Sequence, residues 1–310
     1  MGRKAVVVPF DDKNSGEEAA SIAQRIVSLD DIVAVIGHFS SNMNLVSSPI
    51  FQEAGMLNIT PSASHPAITD IGDYIFRNNS LVFVEAGYAV EIAVDDLGKK
   101  NIGMISVMTD WGTSTSEIVK DIIEKEYASK GAKLVAHEQV LVGSDDYSPA
   151  VTKLLAAGAD VVICVGEYGV VAPFTRQYKQ FDPNIEIVCF SNAYSKQLIE
   201  LGGPAVDGVR FPASFFAGST DPKVRSFVDN FVERYGYVPN NSMAQSYDTM
   251  GMILEAIVAT KSTDSAALRD YIAQIEYDGV TGLTRFDERG DATKIYTKVM
   301  IKNGDFVEFK

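Results

Sequence analysis

Residues 102–112 read Ile-Gly-Met-Ile-Ser-Val-Met-Thr-Asp-Trp-Gly, and they contain the pattern that decides the fold. The first six are almost continuously apolar, which is typical of a strand buried on both faces of a parallel sheet. A polar turn follows, and apolar residues then recur at positions 118, 119, 122 and 123, on one stripe of a helix. A strand, a polar turn and an amphipathic helix in this order predict a right-handed crossover in an α/β sheet.

The same alternation extends through most of the chain. Further strands with near-continuous apolar character are predicted at Ala5–Val8, Ile32–Ile36, Val161–Val165 and Ile185–Phe190. A second helical stripe is formed by positions 22, 23, 26 and 27. The fold class is therefore predicted to be α/β, with mostly parallel sheets flanked by helices.

The last seventy residues follow a different order. Two helical patterns come close together, at Ser242–Ala259 and Asp264–Ile275. Strand-like runs follow at Gly279–Phe286, Lys294–Lys302 and Asp305–Phe309. Asn303-Gly304, which separates the last two runs, is a good turn for a β-hairpin.

Composition excludes several classes of function. The 310 residues contain 27 Lys and Arg against 41 Asp and Glu, a formal net charge of −14. Such a chain repels a phosphate backbone and an anionic membrane surface, so neither nucleic-acid binding nor membrane docking is expected. No stretch approaches the ~20 apolar residues of a membrane-spanning helix, and no signal peptide is visible. The two cysteines, Cys164 and Cys189, are expected to be buried free thiols.

Candidate ligand-binding residues follow the strands, because ligands of open α/β sheets bind beyond the carboxyl ends of the strands. These residues are Ser40, Ser41, Ser62, Ala63, Ser64, Trp111, Glu167 and Asn192. The serines could bind a carboxylate together with the N–H groups of a helix N-terminus, or they could only cap the helix and form an ordinary turn. Trp111 could cover the apolar part of a ligand or belong to the core, and Glu167 could pair with an ammonium group or lie exposed in a loop.

Sequence motifs of enzymes are missing. There is no dinucleotide-binding or phosphate-binding glycine motif, no zinc-protease motif and no nucleophile elbow. The three histidines, His38, His65 and His137, are scattered along the chain and suggest no metal site. A binding protein without catalytic activity, cofactor or metal is therefore favoured over an enzyme.

Six segments together resemble the type I periplasmic solute-binding proteins of ABC transporters, in the leucine/isoleucine/valine-binding branch. The segments are Val8-Pro9-Phe10-Asp11-Asp12, Ala34–Ser41, Ile59–Ser64, Tyr74-Ile75-Phe76-Arg77, Ala244–Asp248 and Gly282–Asp291. The resemblance implies two α/β lobes with three crossings between them and a ligand trapped in the cleft by hinge closure. It places residues 1–107 with 239–292 in lobe one and residues 108–238 with 293–310 in lobe two.

By this resemblance, the two serine loops bind the carboxylate and amino group of the ligand, and Trp111 stands where the family usually has a tyrosine. Three departures are notable. Lobe one is expected to lack the first βα unit of the family, Asn192 stands in place of an acidic residue that often binds the ammonium group, and Asn14 and Ser40 replace two cysteines. Glu167 could take over the acidic role.

The expected function is thus the extracytoplasmic substrate-binding component of an ABC transporter, located on the periplasmic or extracellular side. It would be a monomer that binds a small carboxylate-bearing solute, foremost a branched-chain or other amino acid, and presents it to a membrane permease. The alternatives are a ligand-sensing domain of the same fold and a binder of an organic acid that is not an amino acid.

Overall fold

The computed structural model describes residues 2 and 4–309, and these residues form ten α-helices and twelve β-strands. The helices are α1 (Gly16–Val27), α2 (Ser41–Glu53), α3 (Val82–Glu91), α4 (Asp110–Ile122), α5 (Ser148–Ala156), α6 (Tyr168–Lys179), α7 (Lys196–Gly202), α8 (Pro222–Tyr235), α9 (Asn241–Thr260) and α10 (Ser265–Ile272). The strands are β1 (Val35–Ile36), β2 (Asn58–Thr60), β3 (Ile75–Arg77), β4 (Asn101–Val107), β5 (Lys133–Val140), β6 (Val161–Val165), β7 (Glu186–Cys189), β8 (Arg210–Ala213), β9 (Tyr277–Gly279), β10 (Gly282–Thr284), β11 (Thr297–Lys302) and β12 (Asp305–Glu308).

The chain divides into two compact units. Unit 1 consists of Met1–Leu81 and Ser242–Lys294, and unit 2 consists of Val82–Asn241 and Ile295–Lys310. The chain therefore passes from one unit to the other three times. The last two passages fall close to the predicted boundaries. The first does not, because β4 pairs with β5 and β6 of unit 2, so residues 82–107 belong to that unit and the boundary predicted at 107 is wrong.

Unit 1 is built on a parallel sheet of order β1-β2-β3. Residues of α1 and α2, among them Ile22, Ile26 and Phe51, form one apolar cluster with Ile75 of β3. Residues of α9 and α10 form another cluster with Ile59 and Phe76. Helices thus cover both faces of this sheet, and the antiparallel pair β9–β10 accompanies it.

Three predicted strands of unit 1 differ from the structure. Of the predicted strand Ile32–Ile36, only Val35–Ile36 forms β1. Ala5–Val8 was expected to be a buried strand, but residues 4–12 form no regular secondary structure, and Val6 and Val7 are 71% and 72% exposed. A strand needs a neighbour to pair its N–H and C=O groups, and this segment is paired with none of the described strands. The run Gly279–Phe286 was expected as one strand, but its residues contribute to both β9 and β10, with the turn at Val280-Thr281.

Unit 2 is built on a seven-stranded sheet of order β12-β11-β8-β7-β6-β4-β5. The five strands from β4 to β8 are parallel, and β11 lies antiparallel to β8 and β12. Asn303 and Gly304 both have positive φ, at 53° and 78°, which confirms the predicted hairpin turn between β11 and β12. Cys164 and Cys189 lie buried and unbridged on β6 and β7, as predicted.

The strand order of unit 2 contains a switch point. From β4 the chain moves to one side, to β5, and then returns to the other side, to β6. Crossovers on opposite faces leave a crevice at the carboxyl ends of the strands on either side of such a point. The turns after β4 and β6, which carry Trp111 and Glu167, lie next to this position.

Within residues 2 and 4–309, no helix has the length and apolar character needed to cross a bilayer. The same residues contain no group of three or more His, Cys, Asp or Glu side chains that could hold a metal ion.

Candidate functional site

In unit 1, the two candidate serines at the start of α2 have different partners. Ser40 has the extended backbone of an N-cap residue, but its side chain makes no capping hydrogen bond. Ser41 is 5% exposed, and its Oγ accepts hydrogen bonds of 3.3 Å from the N–H groups of both Ser64 and His65. The start of α2 and the turn after β2 are therefore joined through Ser41, as the prediction of a common serine-rich site requires.

The turn Ser62-Ala63-Ser64 is held from several sides. The Ala63 N–H donates to Thr60 Oγ1 at 3.3 Å, and the Ser62 carbonyl accepts 2.7 Å from the Asn79 side chain. Ala63 and Ser64 are buried, whereas Ser62 is half-buried, and its Oγ makes a long contact of 3.4 Å with the Phe39 carbonyl. Because Ser41 and Ser64 are each only 5% exposed and Ser40 and Ser62 are half-buried, the more accessible hydroxyls of this cluster are those of Ser40 and Ser62.

Asn44, which the sequence did not single out, fixes the backbone before Ser40. Its amide oxygen accepts from the His38 N–H at 3.0 Å, and its amide nitrogen donates to the carbonyls of His38 and Ser40 at 2.9 and 2.8 Å. Asn44 is fully buried. The His38 ring lies 2.5 Å from a carboxylate oxygen of Asp12, which holds the other side of this loop.

Arg77 is hydrogen-bonded to the backbone at the end of the same turn. Its guanidinium is fully buried and donates to the His65 carbonyl at 2.6 Å, to Thr69 Oγ1 at 2.9 Å and to Asp291 Oδ1 at 2.8 Å. Burial lowers the pKa of Arg77, and the Asp291 carboxylate opposes that shift. Arg77 therefore positions the end of the serine turn, and its full burial leaves it no surface for a ligand.

In unit 2, Trp111 lies in the first turn of α4. The Thr109 side chain caps this helix by accepting from the Gly112 N–H at 3.0 Å. A Cβ on Gly112 would come within 2.0 Å of the Val107 carbonyl oxygen, so only glycine permits this tight exit from β4. The half-buried indole packs edge-on against Phe190, with the ring centroids 6.0 Å apart. Trp111 is thus next to the turn that follows β7.

Asn192 lies in that turn, Ser191–Ala193, directly after Phe190. Its Oδ1 atom is buried and has no hydrogen-bond partner among the described residues. A buried carbonyl oxygen without a donor is rare in folded proteins and costly, and a ligand can supply the missing donor. The structure therefore places Trp111 and Asn192 in one neighbourhood, through Phe190.

Glu167 is the N-cap residue of α6, and its side chain makes no capping hydrogen bond. Glu167 is exposed to solvent overall. Protein atoms around its carboxyl group nevertheless exclude part of the water there, and this desolvation raises its pKa. A backbone role is clear, since its carbonyl accepts the N–H groups of Val170 and Val171 at 2.9 Å. No described hydrogen bond connects Glu167 with Trp111 or Asn192, so its predicted part in the site stays a prediction.

A second acidic residue was missed by the sequence. Glu85 of α3 is 4% exposed, and its Oε1 accepts a hydrogen bond of 2.5 Å from the Ser191 N–H. Burial raises the pKa of Glu85 to about 7, against the effect of the hydrogen bonds from Ser191. Glu85 lies 106 residues before Ser191 in sequence, and no local pattern indicates their contact.

Both units have helices against sheets of mainly parallel strands, and polar residues gather where the strands end. This is where α/β proteins of this kind bind small ligands. The sequence profile of the family described as periplasmic binding protein matches residues 1–305, and the chain belongs to that family.

Known proteins support the same assignment. An amino acid binding protein of Pseudomonas aeruginosa is 26% identical over 296 residues, which cover 94% of this chain and 77% of that protein. A structure from Rhodospirillum rubrum, described as a candidate branched-chain amino acid ABC transporter, is 30% identical, with a TM-score of 0.74 and coverage of 99% and 88% of the two chains. The leucine binding protein LivK of Thermotoga maritima has a TM-score of 0.92 at 24% identity, with coverage of 100% and 88%, which shows the common fold. The predicted family and fold class are confirmed.

Proposed function

We propose that this chain is the solute-binding component of an ABC transporter and that it captures a free α-amino acid, foremost a branched-chain one. The observation that carries the amino-acid assignment is the buried, unpartnered Oδ1 of Asn192, in the turn after Phe190, whose ring packs against Trp111. An acceptor next to an aromatic surface suits an ammonium group attached to an apolar side chain. The printed names of the relatives, which include amino acid and leucine binding proteins, support this choice.

Unit 1 would bind the carboxylate. Ser40 offers a hydroxyl that makes no capping hydrogen bond, at the N-terminus of a helix of 13 residues. The positive end of the helix dipole favours an anion at this position. Ser62 offers the second accessible hydroxyl, while Ser41, Ala63 and Ser64 give the turn its shape. In unit 2, Trp111 would contact the side chain of the ligand, and Asn192 and Glu167 its ammonium group.

Family membership supports the remaining parts of the proposal. The protein would work as a monomer in the periplasm and deliver its ligand to a membrane permease, without chemical change to the ligand. Neither cofactor nor metal is needed for such a cycle. Analytical ultracentrifugation with and without leucine would test whether the protein is a monomer, because the measured molar mass of a dimer would be twice that of one chain.

The ligand is tested by isothermal titration calorimetry with leucine, isoleucine, valine and alanine, and with two analogues of leucine. Leucinamide lacks the carboxylate, and 4-methylpentanoate lacks the amino group. We expect leucine to bind and both analogues to bind at least about tenfold more weakly, because each leaves one charged contact unmade. Benzoate is included as an acid without an amino group. Binding of benzoate or 4-methylpentanoate but of no amino acid would overturn the amino-acid assignment.

The carboxylate contact is tested with Ser40→Ala. Since the Ser40 side chain caps nothing, this variant should keep the unfolding free energy within about 0.5 kcal/mol while it weakens leucine binding. Ser28→Ala is a matched control, because Ser28 Oγ donates only to the Arg25 carbonyl at the end of α1. Equal leucine affinity in Ser40→Ala and the wild type would remove Ser40 from the site.

A further inference from the structure

The turn that carries Asn192 is held by a buried acid with no cationic partner. Glu85 Oε1 accepts the Ser191 N–H at 2.5 Å, and both residues are more than nine-tenths buried, at 4% and 7% exposure. An acid in this position needs either a proton or a nearby positive charge to offset the loss of water around it. No salt bridge to Glu85 is present among the described residues.

Charged groups on the elements around α3 do not supply that positive charge. Helix α4 carries Asp110, Glu117, Lys120 and Asp121, the segment after α3 carries Asp95 and Asp96, and strand β8 carries Arg210. None of them contributes to the pKa of Glu85, which burial alone raises to about 7 and which only the hydrogen bonds from Ser191 lower. Arg210 is engaged by Glu186 of β7. The carboxyl group of Glu85 is thus left without a counter-charge in the described part of the protein.

We propose, on the basis of the proposed function, that Glu85 supplies the negative charge for the ligand's ammonium group and thereby couples amino-acid binding to release of a proton. Asn192 directly follows Ser191, whose N–H donates to the Glu85 carboxylate. An ammonium group bound at Asn192 Oδ1 would therefore be held by the residue next to the one that Glu85 contacts. Asn192 then makes the hydrogen bond, and Glu85 of α3, in place of the part proposed above for Glu167, provides the negative charge that an asparagine lacks.

The coupling follows from linkage. A cation bound near Glu85 favours its ionised form, so binding displaces the proton that the carboxyl group holds below about pH 7. By reciprocity, ionisation of Glu85 strengthens binding of the cation by the same factor. The effect requires a ligand with an ammonium group, and an acid without one gains nothing.

The test uses calorimetry of leucine with the wild-type protein at pH 6.5, in buffers that differ in ionisation enthalpy. We expect a net release of protons on binding, and an affinity that rises by about tenfold from pH 5.5 to pH 8, as expected for a charge pair in a partly desolvated site. Glu85→Gln keeps an oxygen that can accept the Ser191 N–H but has no charge. In this variant leucine binding should release no proton and should not depend on pH in this range.

Two controls separate charge from shape. Glu117→Gln, on the exposed face of α4, removes a carboxylate of the same unit and should leave proton release unchanged. The affinity for 4-methylpentanoate should be equal in Glu85→Gln and the wild type, whereas a merely structural role of Glu85 would change it. If leucine binds the wild type without proton release, or if Glu85→Gln releases protons as the wild type does, the inference on Glu85 is wrong while the proposed function stands. If no amino acid binds, both fail.

Discussion

Glu85 and Ser191 are 106 residues apart in sequence, and the Glu85 carboxylate accepts the Ser191 N–H at 2.5 Å. This contact joins the first turns of α3 to the turn after β7, and thus to Asn192. It also connects the candidate residues of unit 2. Trp111 packs against Phe190, Asn192 follows Phe190 by two residues, and Glu85 of α3 fixes the backbone at Ser191 between them.

Glu85 should make the stability of the protein depend on pH. Burial raises its pKa in the folded protein to about 7 from an ordinary value of 4.5, so between these values the folded state holds a proton that the unfolded state has lost. The contribution of Glu85 therefore lowers the unfolding free energy as the pH rises from 4.5 to 7, and the loss is complete above pH 7. We expect the stability of Glu85→Gln relative to the wild type to increase by about 2–3 kcal/mol from pH 4.5 to pH 8. Urea denaturation at both values measures this difference. Glu117→Gln should show no such change.

Ser41 should affect binding through the turn that it holds. Its Oγ accepts the N–H groups of Ser64 and His65, so Ser41→Ala removes the acceptor that these two hydrogen bonds share. We expect a loss of about 1–2 kcal/mol of unfolding free energy together with weaker leucine binding. Ser47→Ala is the matched control on the same helix, because the buried Ser47 hydroxyl donates only to the Met43 carbonyl. It should leave the leucine affinity unchanged, and a similar loss of affinity in both variants would contradict the role given to Ser41.

The sequence predicted the strands that are buried on both faces. β4 and β6 agree with the predicted runs to within one residue, because a central parallel strand is apolar throughout and needs no further information. β5 was missed because Lys133–Val140 is an edge strand with polar residues along much of its length. Ala5–Val8 was wrong for the opposite reason. Its residues have the character of a central strand, but the character of a segment does not provide a pairing partner.

The candidate residues were chosen by position, because ligands of open α/β sheets bind beyond the carboxyl ends of the strands. Ser40, Trp111 and Asn192 do follow strands, and their part in ligand binding stays a prediction. The roles of Ser41, Asn44 and Glu85 depend on hydrogen bonds between segments that are 6 to 106 residues apart. Such contacts leave no periodic pattern. The boundary between the units was misplaced for a related reason, since strand character alone does not indicate which sheet a strand joins.

Arg77 should be important for the stability of unit 1. Its guanidinium is fully buried and ion-paired with Asp291 at 2.8 Å, and it also donates to the carbonyl of His65. Arg77→Met leaves the buried Asp291 carboxylate without its counter-charge, which costs about 3–5 kcal/mol in comparable cases. Arg285→Met removes an exposed pair with Glu276 and should cost less than about 1 kcal/mol. Urea denaturation of both variants measures the contrast, and equal losses would mean that Arg77 is not the buried support that the structure indicates.

Trp111 should report ligand binding directly, because it is the only tryptophan of the chain. If its half-buried ring contacts the ligand, leucine will change the intensity or the wavelength of the tryptophan emission in proportion to occupancy. Trp111→Phe keeps an aromatic surface against Phe190 and should lose less affinity than Trp111→Ala, for which we expect at least about a tenfold loss from removed apolar contact.

Phe181→Ala is the control for the Trp111 variants, because this aromatic ring of unit 2 is 64% exposed and should not affect leucine binding. Calorimetry gives the affinities of the variants that lack the fluorophore. An unchanged emission on addition of saturating leucine, together with full affinity in Trp111→Ala, would place Trp111 outside the site and leave the ring with a packing role in the core of unit 2.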